Sequence, residues 1–212
     1  MKNAAQINDL ITGNRLFKKD VYPSKKQLFD QLAGGQSPHV TMLTCSDSRI
    51  DPCAITQTEP GDLFVIRNAG NIAPVKSGAA SGEIATLEFA VRALGTQHIV
   101  VCGHSDCGAM KGLLAPEKCA HLTYVSSWVR ESEAVLATLD LDGLNESERL
   151  AKVIDANVLY QIENLMKLDF IAEAVEEGKL SLHGWVYNIG SGDINVLSSA
   201  TETQKTATYV SA

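Results

Sequence analysis

Apolar positions along the chain fall into two rhythms, one spaced by three and four residues and one continuous. Ile7, Leu10 and Ile11 share one side of residues 3–17, which predicts a short amphipathic helix. Alone such a helix is marginal in water, so it needs its own domain or a partner subunit to pack on. A second helix is expected over 25–33, after Pro23-Ser24 and before Gly34-Gly35. The continuous runs at 40–44, 63–66 and 98–102 read as buried strands. Between the last two, Ile84, Leu87, Val91 and Leu94 mark a helix over 81–94, ended by Gly95. Strand, helix, strand, helix predicts an α/β fold, a mostly parallel central sheet flanked by helices.

The later half is more helical. One helix is expected over 121–139 and another around Leu150, Val153, Ile154, Asn157, Val158, Gln161, Ile162 and Leu165. Residues 182–189 and 193–197 read as a closing strand pair turned through Gly190-Ser191-Gly192, with the last strand at the sheet edge. Residues 201–212 are polar and read as a loose tail. No repeat or linker divides the chain, so a single domain over 1–212 is expected. Within it, residues 1–35 form an N-terminal helical arm, 36–197 the core and 198–212 the tail.

Composition narrows the possibilities. The chain has 212 residues, 45% hydrophobic and 20% charged, as expected for a globular protein with a sizeable core. Its formal charge of -7 argues against nucleic-acid binding, which needs a basic surface to displace counterions. Residues 1–11 hold no unbroken apolar run, which gives no sign of a secretory signal or membrane span and makes the cytoplasm the expected compartment. Five cysteines, an odd number, suit metal ligation or burial in a reducing compartment better than a disulfide framework.

Two segments carry chemistry because each follows a predicted buried strand: Cys45-Ser46-Asp47-Ser48-Arg49 and Cys102-Gly103-His104-Ser105-Asp106-Cys107-Gly108. Ligands of an open parallel sheet bind at the carboxyl ends of its strands, where both segments fall. His104 and Cys107 can point at one centre from a single turn, with Cys45 arriving from the other strand. Two thiolates and an imidazole favour zinc and leave a fourth tetrahedral position. Spacing alone also permits two inert thiols beside a loop histidine. Asp47, two residues from Arg49, either pairs with the guanidinium and stays ionised or ligates the metal itself.

With these motifs the chain resembles the β-class carbonic anhydrases. The resemblance extends to Gln36-Ser37-Pro38, to Pro60-Gly61-Asp62 through Arg67-Asn68-Ala69-Gly70-Asn71, to the helix at 81–91 and to Gly184-Trp185-Val186-Tyr187. It covers about residues 11–197. It implies one Zn2+ per chain on Cys45, His104 and Cys107, and reversible hydration of carbon dioxide to bicarbonate and a proton. Zinc-bound hydroxide is the implied nucleophile, oriented by the catalytic pair Asp47 and Arg49. Gln36, Phe64, Phe89 and Gly108 are the implied substrate-side residues, with the two aromatics contributed across a dimer interface.

Phe89 stands where the family commonly has tyrosine, so no phenolic role carries over. Gln36, and Met42 in place of a tryptophan often found in the closed form, imply the open form with Asp47 on Arg49. The resemblance also implies self-association as a dimer or a higher multiple. His39 and His98 are the further histidines to weigh as proton shuttles, and nothing in the sequence sets either beside the metal. Three rivals remain at this level: hydrolysis of carbon disulfide or carbonyl sulfide on the same scaffold, a zinc-stabilised interaction protein, and a thiol sensor pairing Cys45 with Cys107.

Overall fold

The structure is a computed structural model that describes residues 6–75 and 81–197. It divides into two compact units, the first ending at Gln36 and the second beginning at Ser37. The expected tail over 198–212 lies outside the described residues, as do residues 3–5, the first three positions of the expected helix over 3–17, and residues 76–80.

In the first unit, α1 spans Ile7–Leu16. The Asp9 carboxylate accepts the backbone N–H of Gln6 at 2.8 Å, which occupies one otherwise orphaned donor at the helix start. The chain then widens into a π turn over Phe17–Val21, tightens over Tyr22–Lys25 and continues as α2, Lys26–Leu32. An aromatic cluster closes this unit on itself. Tyr22 stacks on Phe29 with centroids 5.0 Å apart, and Phe17 meets Phe29 edge-on at 5.7 Å. Ile7, Leu10 and Ile11 remain exposed.

In the second unit the sheet strands are β1 (Val40–Cys45), β2 (Leu63–Asn68), β3 (His98–His104), β4 (Ser181–Tyr187) and β5 (Ile194–Leu197). Their order is β2-β1-β3-β4-β5; the first four run parallel and β5 is antiparallel at the edge. This is the expected mostly parallel sheet. In register, Thr44 of β1 faces Cys102 of β3, so both strands end toward the same side of the molecule.

Between β1 and β2 runs α3, Pro52–Thr56; its Asp51 cap accepts the Cys53 and Ala54 N–H groups. The expected 81–94 helix is α4, Gly82–Glu88, capped by Ser81, followed by a π turn over Phe89–Ala93. After β3 come α5 (Gly108–Leu114) and α6 (Pro116–Cys119), two short helices that the sequence reading did not resolve.

The single helix expected over 121–139 is instead α7, Thr123–Val129, followed by a 3-10 helix over Arg130–Thr138. Val129, Ser132 and Val135 are the buried positions there, a strict period of three. That period suits the three-residue turn of a 3-10 helix, in which i and i+3 eclipse.

The long α8, Glu146–Leu165, starts with a reciprocal cap between Asn145 and Glu148. After it comes α9, Asp169–Glu176, also unresolved in the sequence reading. Val158, Ile162 and Leu165 of α8 join Leu43, Ile66, Ile99, Val101 and Leu182 in the main core.

Two strand glycines let α8 sit that close. A Cβ on Gly103 would lie 2.8 Å from Val158 Cγ2, and one on Gly184 would lie 3.0 Å from Ile162 Cδ1. Glycine in a strand commonly marks such a close approach. A smaller cluster of Cys45, Ile50, Cys107, Met110, Leu113, Val153 and Ile154 lies under the carboxyl ends of β1 and β3. No described helix is long and apolar enough to cross a membrane.

Candidate metal centre

Cys45 is the last residue of β1 and His104 the last residue of the neighbouring β3. Cys107 follows one turn later, at the N-terminal boundary of α5. Crossover topology makes β1 and β3 neighbours, which brings together side chains nearly sixty positions apart in sequence. The three ligand atoms lie within 4.8 Å of one another, and all three residues are buried. Among the described residues this is the group of His, Cys and carboxylate side chains close enough to hold a metal ion.

The imidazole is oriented by its own backbone. Nδ1 lies 2.9 Å from the Ser105 carbonyl and must donate to it. That fixes the tautomer and leaves the Nε2 lone pair facing inward. Nε2 is buried and has no hydrogen-bond partner. An unpartnered buried nitrogen is costly in a packed interior, and a cation there removes the cost.

The two thiols make the same point. Cys45 is drawn down to about 4 by hydrogen bonding with Cys107, against the penalty of burial, with further help from His104 and the Gly70 N–H. Cys107 is pushed far above the usual thiol range by its bond to Cys45 and by burial. Without added positive charge only one of the pair ionises, so making both buried thiols thiolates needs a cation between them. Soft sulfur donors with an imidazole fit zinc.

Outer partners fix these donors. Gly70 N–H donates to Cys45 Sγ at 3.3 Å. The Arg67 guanidinium holds the Cys45 carbonyl through Nε and Nη2, at 3.1 and 2.9 Å, and the Asp47 carbonyl at 2.8 Å. The Gly70 turn is itself tied down: Asn157 donates to the Gly70 carbonyl at 3.1 Å and Trp128 Nε1 to the Ala69 carbonyl at 2.7 Å. Ligands and their supports thus form one connected shell.

Asp47 and Arg49 make a two-pronged pair. Nε reaches Oδ1 at 2.9 Å and Nη2 reaches Oδ2 at 2.7 Å, and the Arg49 N–H adds a third bond to Oδ1 at 3.0 Å. These bonds hold the Asp47 carboxyl well below the usual carboxylate range. Asp47 Oδ2 lies 3.9 Å from His104 Nε2, so this carboxylate borders the donor cluster.

The two expected aromatic residues lie away from this cluster. Phe64 and Phe89 pack on each other with centroids 6.2 Å apart. Phe64 registers with Thr41, four residues before Cys45, which at strand rise is about 13 Å from it along β1. Within one chain these rings do not line the metal centre. Gly108 opens α5, and a Cβ there would meet nothing within 4 Å. Gln36 is exposed and ends the first compact unit.

His98 pairs with His183 at 3.1 Å, and the His39 carbonyl accepts the Gln97 and His98 N–H groups, all at the opposite edge of the sheet. Cys102 is buried and raised to about 11 by that burial, an inert thiol. Arg67, Gly70, Trp128 and Asn157 had no assigned role in the sequence reading. Arg67 and Gly70 belong to the 60–71 stretch, but only the three-dimensional contacts give them work.

A mostly parallel sheet with buried thiol and imidazole donors that could hold a metal at its carboxyl edge, and a carboxylate–arginine pair beside them, defines an α/β protein with a candidate metal centre. Comparison with known proteins supplies the family. The carbonic anhydrase family profile matches residues 40–194. A carbonic anhydrase of Pseudomonas aeruginosa is 44% identical over 195 residues, 92% of this chain and 89% of that protein. The solved β-carbonic anhydrase CcaA superposes with a TM-score of 0.86 at 42% identity, covering 91% of this chain and 95% of that one. A β-carbonic anhydrase of Sordaria macrospora, one of two described as tetrameric, gives 0.81 at 33%, covering 90% and 95%. The chain belongs to the β-carbonic anhydrase family and is a lyase of that kind.

Proposed function

We propose that this chain hydrates carbon dioxide reversibly to bicarbonate and a proton, using one zinc ion held by Cys45, His104 and Cys107, with Asp47 paired to Arg49 and the fourth position open. The observation that carries this reading is the buried, unpartnered His104 Nε2 facing two thiols, while the nearest carboxylate is occupied by a guanidinium. Zinc bound there would act as a Lewis acid, lowering the pKa of a water toward neutrality so that it can attack carbon dioxide.

The chain's own residues do the rest. Two thiolates leave the ion less electrophilic than three imidazoles would, so a carboxylate that orients the nucleophile gains importance. Asp47, kept ionised by Arg49, accepts a hydrogen bond from the attacking water and points its lone pair at the substrate carbon. The buried apolar side chains of Ile50 and Met110 beneath the donors exclude competing water.

Gln36 is assigned to a substrate oxygen, and Phe64, Phe89 and Gly108 to the substrate side. The distance of Phe64 from Cys45 within one chain is why the two rings are assigned to a second copy of the chain. Self-association as a dimer or higher multiple follows, in keeping with the tetrameric Sordaria relative. The proposed setting is the cytoplasm, where two ligand thiols stay reduced.

Stopped-flow hydration of carbon dioxide, run with zinc analysis of the purified protein, tests the proposal. One zinc per chain with hydration activity, both lost in Cys45→Ser, is the expected result. Stoichiometric zinc without hydration at any pH would refute it.

A further inference from the structure

The Asp47–Arg49 pair has a second anchor. Asp106 lies in the turn between His104 and Cys107, with φ of 63°, a left-handed conformation that Asp and Asn adopt more readily than most residues. Its Oδ2 accepts Arg49 Nη1 at 2.9 Å, and its carbonyl accepts Nη2 at 3.4 Å. Lys111, on the first turn of α5, forms an ion pair with the other carboxylate oxygen. The guanidinium is therefore held on two sides, by Asp47 from the β1 end and by Asp106 from the β3–α5 turn.

Two facts make that second hold consequential. The Arg49 side chain is 44% exposed, and a single exposed ion pair restrains a long side chain weakly. A fork engaged by two carboxylates from different turns restrains it more firmly. Meanwhile Asp47 Oδ2 is already 3.9 Å from His104 Nε2, so a small rotation would carry it into the donor cluster. Whether Asp47 stays on Arg49 or moves to a bound cation depends on how well Arg49 is held.

We infer that Asp106, braced by Lys111, is a positioning residue that anchors Arg49 and thereby keeps Asp47 off the metal. The inference rests on the zinc-dependent, open-site reading given above. Asp106 acts through Arg49 and does not itself touch the reacting atoms.

The test uses the zinc-loaded full chain and the variants Asp106→Gly, Asp106→Asn and Lys111→Met. Glycine accepts the left-handed backbone and removes the carboxylate; asparagine keeps the shape and an acceptor without the charge. Crystal structures at neutral pH are paired with kcat/KM and KM across pH. In Asp106→Gly, Asp47 should contact zinc with Arg49 released to solvent. Its kcat/KM at neutral pH should fall about tenfold, the scale of losing an outer support of a metal site, and recover at higher pH than in the wild type.

Asp106→Asn should fall between the two, a partial rescue that a merely structural role would not give. Should Asp106→Gly fail to fold, Asp106→Asn and Lys111→Met carry the same test through smaller shifts in the same direction. Asp47 still paired with Arg49 in the variants, with an unmoved pH profile, overturns the inference. A wild type that is active with Asp47 on zinc overturns it while leaving the hydration reading intact. A wild type without zinc or without hydration overturns both.

Discussion

The indole of Trp128 donates to the carbonyl of Ala69 at 2.7 Å, linking residues 59 positions apart. The next residue, Gly70, donates its N–H to Cys45 Sγ. Trp128 thus steadies the turn that supports the Cys45 sulfur, although it lies two steps from the candidate metal position. Trp128→Phe keeps the ring and removes the donor. We expect about 0.5–1.5 kcal/mol lower stability and about tenfold weaker zinc retention, read from urea unfolding and chelator competition.

Gly103 and Gly108 belong to the same motif, yet their surroundings differ. Gly103→Ala drives a methyl to 2.8 Å from Val158 and should cost about 1–3 kcal/mol by overpacking. Gly108→Ala meets open space at a helix start and should change stability by no more than about 0.5 kcal/mol. Paired thermal and urea unfolding of the two variants checks the contrast.

Gln161 is a buried junction. Its Oε1 accepts the Ala73 N–H at 2.9 Å and Asn164 Nδ2 at 3.1 Å; its Nε2 donates to Asn157 at 2.9 Å and to Ser132 at 3.1 Å. Gln161→Met strands several of these groups, each worth about 1–3 kcal/mol when left unsatisfied. Unfolding should show a loss of several kcal/mol. Because Asn157 also holds the Gly70 carbonyl, zinc retention should fall with it.

Asp155 on α8 is about half buried, and burial raises its carboxyl above the usual 3.8. The folded state therefore holds this proton more tightly than the unfolded state does. The carboxylate then destabilises the fold above its raised folded pKa, and the penalty fades as pH falls through that value toward 3.8. Asp155→Asn should unfold at higher urea concentration than the wild type at neutral pH. The gap should close on acidification. A gap that widens toward low pH would contradict the burial argument.

Much of the fold was legible because continuous apolar runs and three-four spacing are strong signals. The donors were legible because Cys45 ends one such run and His104 follows another. What could not be read was adjacency. Chain order suggests β2 between β1 and β3, whereas β1 lies between β2 and β3, and that placement brings the candidate metal donors together. The 121–139 segment misled because its buried residues repeat every three positions, a rhythm that a helix search blurs into one long element. The short helices α3, α5 and α6 carry too few turns to show a period.

Asp47 and Arg49 were recognisable as neighbours two residues apart. Arg67, Trp128 and Asn157 act across long sequence separations through backbone carbonyls, which no local pattern reports. Phe64 and Phe89 illustrate the reverse case: the segments were recognised, but their distance from Cys45 along the sheet appears only once register is known.

The Ser105 carbonyl that fixes the His104 ring belongs to the very next residue. No distant side chain has to arrive before that ring is aimed. A chain stripped of its ion should therefore remain a ready receptor, and recharging it should be paced by encounter with the metal, not by rebuilding of the protein around it.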